Sequence, residues 1–102
     1  MNFSLVYIPD VAIDIKDAFN WYQKVSTGLG HEFLRMFFAN TSDLQWNPEI
    51  NRKMFEDFRR RLMNRFPYVV YYRIENSQII IYGVFHCARN PQLIKKSISS
   101  RN

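Results

Sequence analysis

The last strand-like run of the sequence ends in side chains that could act on a phosphodiester. His86 directly follows the run IIIYGVF, and Arg89 stands three residues later. A histidine can serve as general acid or base near neutral pH, and guanidinium groups can stabilise a pentacovalent phosphate. Further arginines and tyrosines occupy the neighbouring runs: Arg65, Arg73, Tyr71, Tyr72 and Tyr82. With rings that can stack on bases, this is the inventory of a metal-free ribonuclease.

The same residues also admit a purely structural interpretation. In it, His86 packs at the end of a strand and the arginines form a solvated stripe. A single histidine among scattered arginines is a weak signal, because structural ion-pair networks have the same composition. The residue types alone therefore leave both interpretations open.

A second basic feature precedes these runs, at Arg59 to Arg61, and Arg65 follows it. From Phe58 to Phe66 the sequence fits a period of two, which predicts a strand with Arg59, Arg61 and Arg65 on one face. Such a row could contact phosphates or the acidic residues of a partner. Equally, the row could serve only to prevent an exposed edge strand from pairing with another chain.

Other chemistries fit the sequence poorly, and we expect neither a metal nor a cofactor. Two histidines and one cysteine are too few for a structural zinc site. Cys87 is adjacent to His86, so on a strand the two side chains would face opposite ways. The segment Gly28–Gly30 fits a tight turn between two predicted helices that needs a positive φ. It does not follow a strand, where a phosphate-binding loop would lie.

The hydrophobic spacing predicts the elements that must position these residues. Helices are predicted from Asp14 to about Ser26 and from about His31 to Leu44, and strands at Phe3–Ile8, Phe58–Phe66, Tyr68–Ile74 and Gln78–Phe85. Asn76 and Ser77 fit a two-residue hairpin turn. We expect Trp21 and Trp46 to pack against the helices, and residues 92–102 to form a frayed end.

These elements predict a single α+β domain over residues 1–102. An N-terminal strand precedes an antiparallel helical hairpin and then a three-stranded antiparallel meander. The strands at 68–74 and 78–85 are apolar on both sides, which places them at the centre of the sheet. Two helices can cover only one face, so the expectation is that the other face, with its arginines, is open.

Composition and charge agree with a folded domain that binds an acidic partner. The chain has 102 residues, 47% hydrophobic and 17% aromatic, with a net charge of +5. Residues 1–51 hold three basic and six acidic residues, whereas residues 52–102 hold eleven basic and three acidic ones. This asymmetry suggests either a polyanion or an acidic protein segment as partner, or simply a well-solvated basic surface. The single cysteine, the lack of a visible secretory signal and the lack of a membrane-length apolar run predict a cytoplasmic protein that is not bound to a membrane.

Several short motifs, taken in order, resemble one known family. They are A.DI..A..WY (residues 12–22), GLG.EF (28–33), Asn47-Pro48, FPY.VYY.I (66–74) and V.H..R.P (84–91). Together they resemble the RelE/ParE superfamily, toxins of type II toxin–antitoxin modules that are also described as plasmid stabilization proteins. The resemblance covers almost the whole chain and implies a strand, a helical hairpin and an antiparallel sheet.

The resemblance implies a growth-inhibiting toxin neutralised by a cognate antitoxin, in a toxin–antitoxin hetero-oligomer. RelE-like members cleave mRNA on the ribosome, whereas ParE-like members poison DNA gyrase. Tyr68 stands where RelE-like sequences carry an arginine, and Lys53 stands alone where they carry a lysine pair. These departures favour a ParE-like, gyrase-binding toxin.

Two alternatives remain from the same resemblance. One is a ribosome-dependent mRNA endonuclease, with His86 as acid or base and Arg65, Arg73 and Arg89 on phosphate. The other is a degenerate, non-toxic member that only binds its antitoxin. In every case, the residues expected to bind antitoxin or target are Arg59, Arg61, Arg65, Tyr71 and Arg89.

Overall fold

The computed structural model describes residues 3–102 and contains five strands and three helices. In chain order they are β1 (Ser4–Tyr7), α1 (Pro9–Val25), α2 (Leu29–Asp43), β2 (Lys53–Phe55), β3 (Phe58–Leu62), β4 (Tyr68–Glu75), β5 (Gln78–His86) and α3 (Pro91–Arg101). A short 3-10 turn at Pro48–Ile50 links α2 to β2. Within the described part of the chain, no helix is long and apolar enough to cross a membrane.

The five strands form one mixed sheet in the order β1-β5-β4-β3-β2. β1 pairs in parallel with β5, and all other neighbours are antiparallel. The predicted meander is β3-β4-β5, and the turn lies at Asn76-Ser77 as expected. The α+β fold with β4 and β5 inside the sheet is therefore confirmed. The segment before β3 adds β2, a fifth strand that the sequence pattern left ambiguous.

The helical hairpin begins earlier than predicted. Pro9 occupies the first helical turn of α1, where its fixed φ is compatible with a helix and its missing N–H costs nothing. Asp14, the predicted start of this helix, therefore lies inside it. Between the helices, Gly28 adopts a φ of 92°, the left-handed conformation that the predicted turn requires. A Cβ on Gly30 would lie 2.6 Å from the Phe19 carbonyl oxygen, so this glycine lets α2 approach α1 closely.

The hairpin covers one face of the sheet and forms the larger core. Phe33 and Phe37 of α2 are fully buried and share a cluster with Val70 and Tyr72 of β4 and Ile81 of β5. The Tyr72 hydroxyl donates to the Pro48 carbonyl oxygen over 2.6 Å, which ties the link after α2 to the sheet centre. Truncating either phenylalanine to alanine would cost about 3–5 kcal/mol of stability.

The opposite face is also covered, and this corrects the expectation of an open sheet. Residues 91–101 form α3 and not a frayed end. Its apolar residues Ile94 and Ile98 are buried in a second core with sheet residues. The sheet residues of this second core are Phe58, Val69, Tyr71, Tyr82 and Phe85. The side chain of Asn90 caps α3 by accepting from the Gln92 N–H over 2.8 Å.

An ion pair joins the end of α3 to α1 across the margin of β5. The two terminal nitrogens of the Arg101 guanidinium, Nη1 and Nη2, donate to the Asp14 carboxylate at 2.6 and 2.9 Å. Asp14 also accepts from the Val84 N–H, and Arg101 donates to the Tyr82 carbonyl oxygen. These two contacts satisfy backbone groups of β5 beyond the end of β1. The hydrogen bond to Asp14 raises the pKa of Arg101 above its ordinary value.

Candidate functional site

A polar cleft lies where β5 ends, between α1 and the segment that leads into α3. Its volume is about 200 Å³, and its lining includes Tyr68, His86, Arg89 and the carboxylates of Asp14 and Asp17. His86 and Arg89, singled out in the sequence, therefore do lie together. The two acidic residues give the cleft mixed charge, which suits an ion-pairing surface better than a dedicated phosphate site.

His86 is exposed at this cleft and is held by two contacts. Its Nδ1 atom accepts a hydrogen bond from the Ala88 N–H over 3.0 Å, so the neutral imidazole carries its proton on Nε2. Its ring packs edge-on against Tyr68, with 5.1 Å between the ring centroids. Burial raises the pKa of the Tyr68 phenol above its usual value. Tyr68 is therefore a hydrogen-bond donor at neutral pH and not a phenolate base.

The arginines proposed as partners of His86 in a nuclease are dispersed. β4 and β5 pair Tyr68 with His86 at one end and Arg73 with Ile80 near the turn. Five residues of strand separate the two pairs, a distance of about 17 Å. Arg73 contacts Tyr82, Glu75 and Asn102 there.

Arg65 lies outside β3, which is a correction to the predicted strand. β3 ends at Leu62, and Arg65 follows in a loop with a φ of 70°. Its guanidinium pairs with Glu32 of α2 over 2.8 Å. A left-handed conformation is uncommon for a residue with a Cβ, and the strand alternation cannot continue through it. Arg65 is therefore held beside α2 and not on the sheet face.

The side chains of Arg59 and Arg61 lie on the face of β3 that the helical hairpin α1–α2 covers, because these residues pair with Tyr72 and Val70 of β4. Each contacts the segment around the end of α2. Arg59 donates to the Asn51 carbonyl oxygen over 2.6 Å, and Arg61 donates to the Asn40 side chain over 3.1 Å. Arg59, Arg61 and Arg65 thus all lie on the side of the sheet that the helical hairpin covers, which corrects the expectation that the arginines occupy the face opposite the helices. We call these three residues the arginine row.

Tyr71 lies on the other side of the sheet and lines a groove that the sequence did not reveal. The groove has a volume of about 290 Å³ and lies between the start of α3 and the β2–β3 hairpin. Its lining residues are Met54, Phe55, Arg60, Tyr71, Pro91, Gln92 and Lys95. Arg60 faces this side because it alternates with Arg59 and Arg61. Only the position of α3 brings Lys95 to it.

The two tryptophans do not pack as predicted. Trp21 of α1 is 62% exposed, and Trp46, which follows α2, is 70% exposed. Trp21 falls on the outer face of the hairpin, where the helix spacing also places the exposed Ile13 and Val25. Within residues 3–102, no three His, Cys, Asp or Glu side chains are grouped to hold a metal ion.

Comparison with known proteins identifies the family. The sequence model of the ParE toxin of the type II toxin–antitoxin system parDE matches residues 5–91. The chain belongs to the ParE toxin family. It is therefore the toxin of a type II module, and its family implies a cognate antitoxin as partner. The match ends at Pro91, the first residue of α3, so the helix that fills the second face lies almost wholly beyond it.

Solved structures share the fold of this ParE-family toxin at low sequence identity. A chain from the chromosomal ParDE system of P. aeruginosa has a TM-score of 0.74 and 15% identity, covering 82% of this chain and 95% of that one. A mutant of the E. coli toxin RelE in the free state has a TM-score of 0.63 and 10% identity, covering 98% of both chains. Among curated proteins, none matches the chain by sequence.

Proposed function

We propose that this ParE-family toxin inhibits growth by binding DNA gyrase, without chemistry of its own. The observation that carries the proposal is that the residues expected of a nuclease do not all lie together. These residues are His86, Arg65, Arg73 and Arg89. Arg73 lies about 17 Å along the strand from His86, and Arg65 pairs with Glu32. The ParE family match supports the same conclusion, because ParE-like toxins are gyrase poisons.

Two assays on the purified toxin test this proposal. We expect inhibition of gyrase supercoiling, or accumulation of the gyrase–DNA cleavage complex, and no cleavage of mRNA on programmed ribosomes. The antitoxin complex provides the control, since neutralised toxin should have no effect on gyrase. Cleavage of ribosome-bound mRNA would overturn the proposal. Activity in neither assay would favour a degenerate member that only binds its antitoxin.

The nuclease remains the second candidate, because His86, Arg89 and Tyr68 share one cleft. If the toxin acts by binding gyrase, His86→Ala should still arrest growth, with a loss in potency of less than about threefold. A nuclease that depends on His86 would instead lose about 100-fold or more. Growth of cells expressing each variant measures the difference.

His31→Ala is the matched control for this substitution. His31 is also exposed, and its ring packs edge-on against Phe19 in the way that the His86 ring packs against Tyr68. The control therefore reports the cost of removing an exposed imidazole that does not line the β5 cleft. A loss of toxicity in the His86 variant alone, at unchanged thermal stability, would contradict the gyrase proposal.

We also propose that the arginine row forms part of the surface that binds the antitoxin. The row lies on the hairpin side, and its charges are only partly neutralised within the chain. The Arg61 guanidinium lies 3.5 Å from the exposed Asp43 carboxylate, and the Arg65 side chain is more than half exposed. Guanidinium groups whose charge is only partly neutralised within the chain suit an acidic partner. Arg89 and Tyr71 border different cavities and would meet a different part of that partner.

A further inference from the structure

The two edges of the sheet are built differently. β2 has the features by which natural sheets avoid edge-to-edge pairing. It is three residues long, its register with β3 is irregular, and it carries Lys53, which pairs with Asp57 over 3.2 Å. β1, at the opposite edge, has the sequence SLVY with a regular register and no charged residue. Of the two edge strands, only β1 therefore lacks the features that prevent pairing with another strand.

The hydrogen bonds of β1 show which of its backbone groups face outward. The Ser4 N–H donates to the Ser77 carbonyl oxygen, just before β5, over 2.9 Å, and the Ile8 N–H donates to the Ile81 carbonyl oxygen of β5 over 3.2 Å. Because consecutive residues of a strand point their backbone groups to opposite sides, Leu5 and Tyr7 direct theirs away from β5. Phe3 follows the same rule, since its carbonyl oxygen accepts from the Gln45 side chain. Among the described residues, no further strand pairs with this edge.

Apolar side chains flank this edge. Tyr7 is exposed, and its ring lies 6.0 Å from the ring of Phe38, which is exposed as well. Val6, between Leu5 and Tyr7, is only half-buried and belongs to neither core cluster. The edge thus combines outward-facing backbone groups with aromatic and aliphatic side chains that are partly exposed.

We propose that a second copy of this chain binds here by antiparallel pairing of the two β1 strands. The two-fold axis passes between the Val6 residues, and Leu5 of each copy pairs with Tyr7 of the other. This register lets the outward N–H and C=O groups of both residues form four main-chain hydrogen bonds. It joins two five-stranded sheets into one continuous sheet. Each Tyr7–Phe38 pair then lies beside its symmetry mate.

Charge favours a second copy over an acidic segment of the antitoxin at this edge. Residues 3–8 carry no charge, so they offer no cation to an acidic segment. The arginines of β3 lie three strands away, at about 14 Å. A two-fold contact at β1 therefore keeps the most basic strands of two copies apart, although each copy carries a net charge of +5. A short, uncharged and self-complementary strand fits its own copy.

Sedimentation velocity of the purified full-length toxin at micromolar concentration tests the proposal. We expect the wild type to sediment as a dimer, and Val6→Lys or Val6→Glu to weaken dimerisation by about tenfold or more, because like charges would then oppose each other across the axis. Mixing the two variants should restore a dimer, since lysine then faces glutamate. A merely structural effect of either substitution would not be rescued by mixing.

Met54→Lys on β2 is the matched control and should leave the dimer intact, since it adds the same charge at the other edge. A monomeric wild type would overturn the proposal. A dimer that persists when Val6→Lys and Val6→Glu are each measured unmixed would overturn it as well. Weaker dimerisation in Met54→Lys alone would assign the contact to β2 and likewise overturn it. Sedimentation does not depend on whether the protein is toxic. A negative result would therefore leave the gyrase proposal unaffected.

Discussion

Replacing Arg101 with methionine is expected to lower the free energy of unfolding by about 3 kcal/mol, the usual cost of removing one partner of a buried pair. Asp14 and Arg101 have side chains only 11% and 15% exposed, and the variant leaves the carboxylate with the Val84 N–H as its remaining partner. The Tyr82 carbonyl oxygen loses its donor as well. Urea unfolding followed by circular dichroism measures the change.

Lys96→Met serves as the control for the Arg101 variant. Lys96 is exposed on α3, so its substitution removes a cation from the same helix without breaking a buried pair. Adding Asp14→Asn to the Arg101 variant should recover part of the stability, because a neutral amide oxygen can still accept from Val84. Equal losses for Arg101→Met and Lys96→Met would show that the ion pair does not hold α3 to α1.

The second large effect concerns the antitoxin. Reversing two charges of the arginine row, Arg59→Glu with Arg61→Glu, is expected to weaken antitoxin binding by about 3 kcal/mol, roughly 100-fold in Kd. The substitutions replace cations by anions where an acidic partner would pair with them. Titration calorimetry with the purified antitoxin measures the change, and a thermal melt of the variant checks that the fold persists.

Arg60→Glu with Lys95→Glu is the matched control, since it makes the same change in net charge on the other side of the sheet. If the row binds the antitoxin, this control should lose less than about 1 kcal/mol of binding free energy, the range of exposed pairs. A larger loss in the control than in the row variant would instead place the antitoxin in the groove beside α3.

Much of the architecture could be predicted from local patterns. The spacing of Phe33 and Phe37 predicts a buried helix, and the runs of β4 and β5 are apolar on both sides because both faces of the sheet are covered. The left-handed turn at Gly28 and the hairpin turn at Asn76-Ser77 were predicted because few residues tolerate such conformations. These features depend on neighbours within a few positions of the chain.

The tail was mispredicted because its local signal is weak. α3 has eleven residues, and its buried apolar residues are Ile94 and Ile98. A helix of this length is marginal in water, so it forms here because the second face of the sheet and Asp14 hold it. The same absence of long-range information explains why Trp21 and Trp46 were wrongly predicted to pack against the helices. An aromatic residue at helical spacing predicts burial only when the face it occupies has something to pack against.

The separation of Arg73 from His86 follows from the register of the β4–β5 hairpin, which the sequence predicts. A turn at Asn76-Ser77 pairs Glu75 with Gln78, and counting outward from it places Arg73 near the turn and His86 at the far end. A grouping of the candidate residues by type alone takes no account of this register. The position of Arg65 was not available in the same way, because a left-handed residue after β3 has no signature in an alternating pattern.

The type and order of most elements, the basic second half and the family can be read from composition, short-range spacing and motif order. The folded chain was needed to show that α3 covers the second face, that the arginine row lies on the side of the helical hairpin, and that β1 is an uncharged open edge. Those outcomes depend on contacts between distant parts of the chain, such as Asp14 with Arg101, and periodicity within a segment carries no information about them.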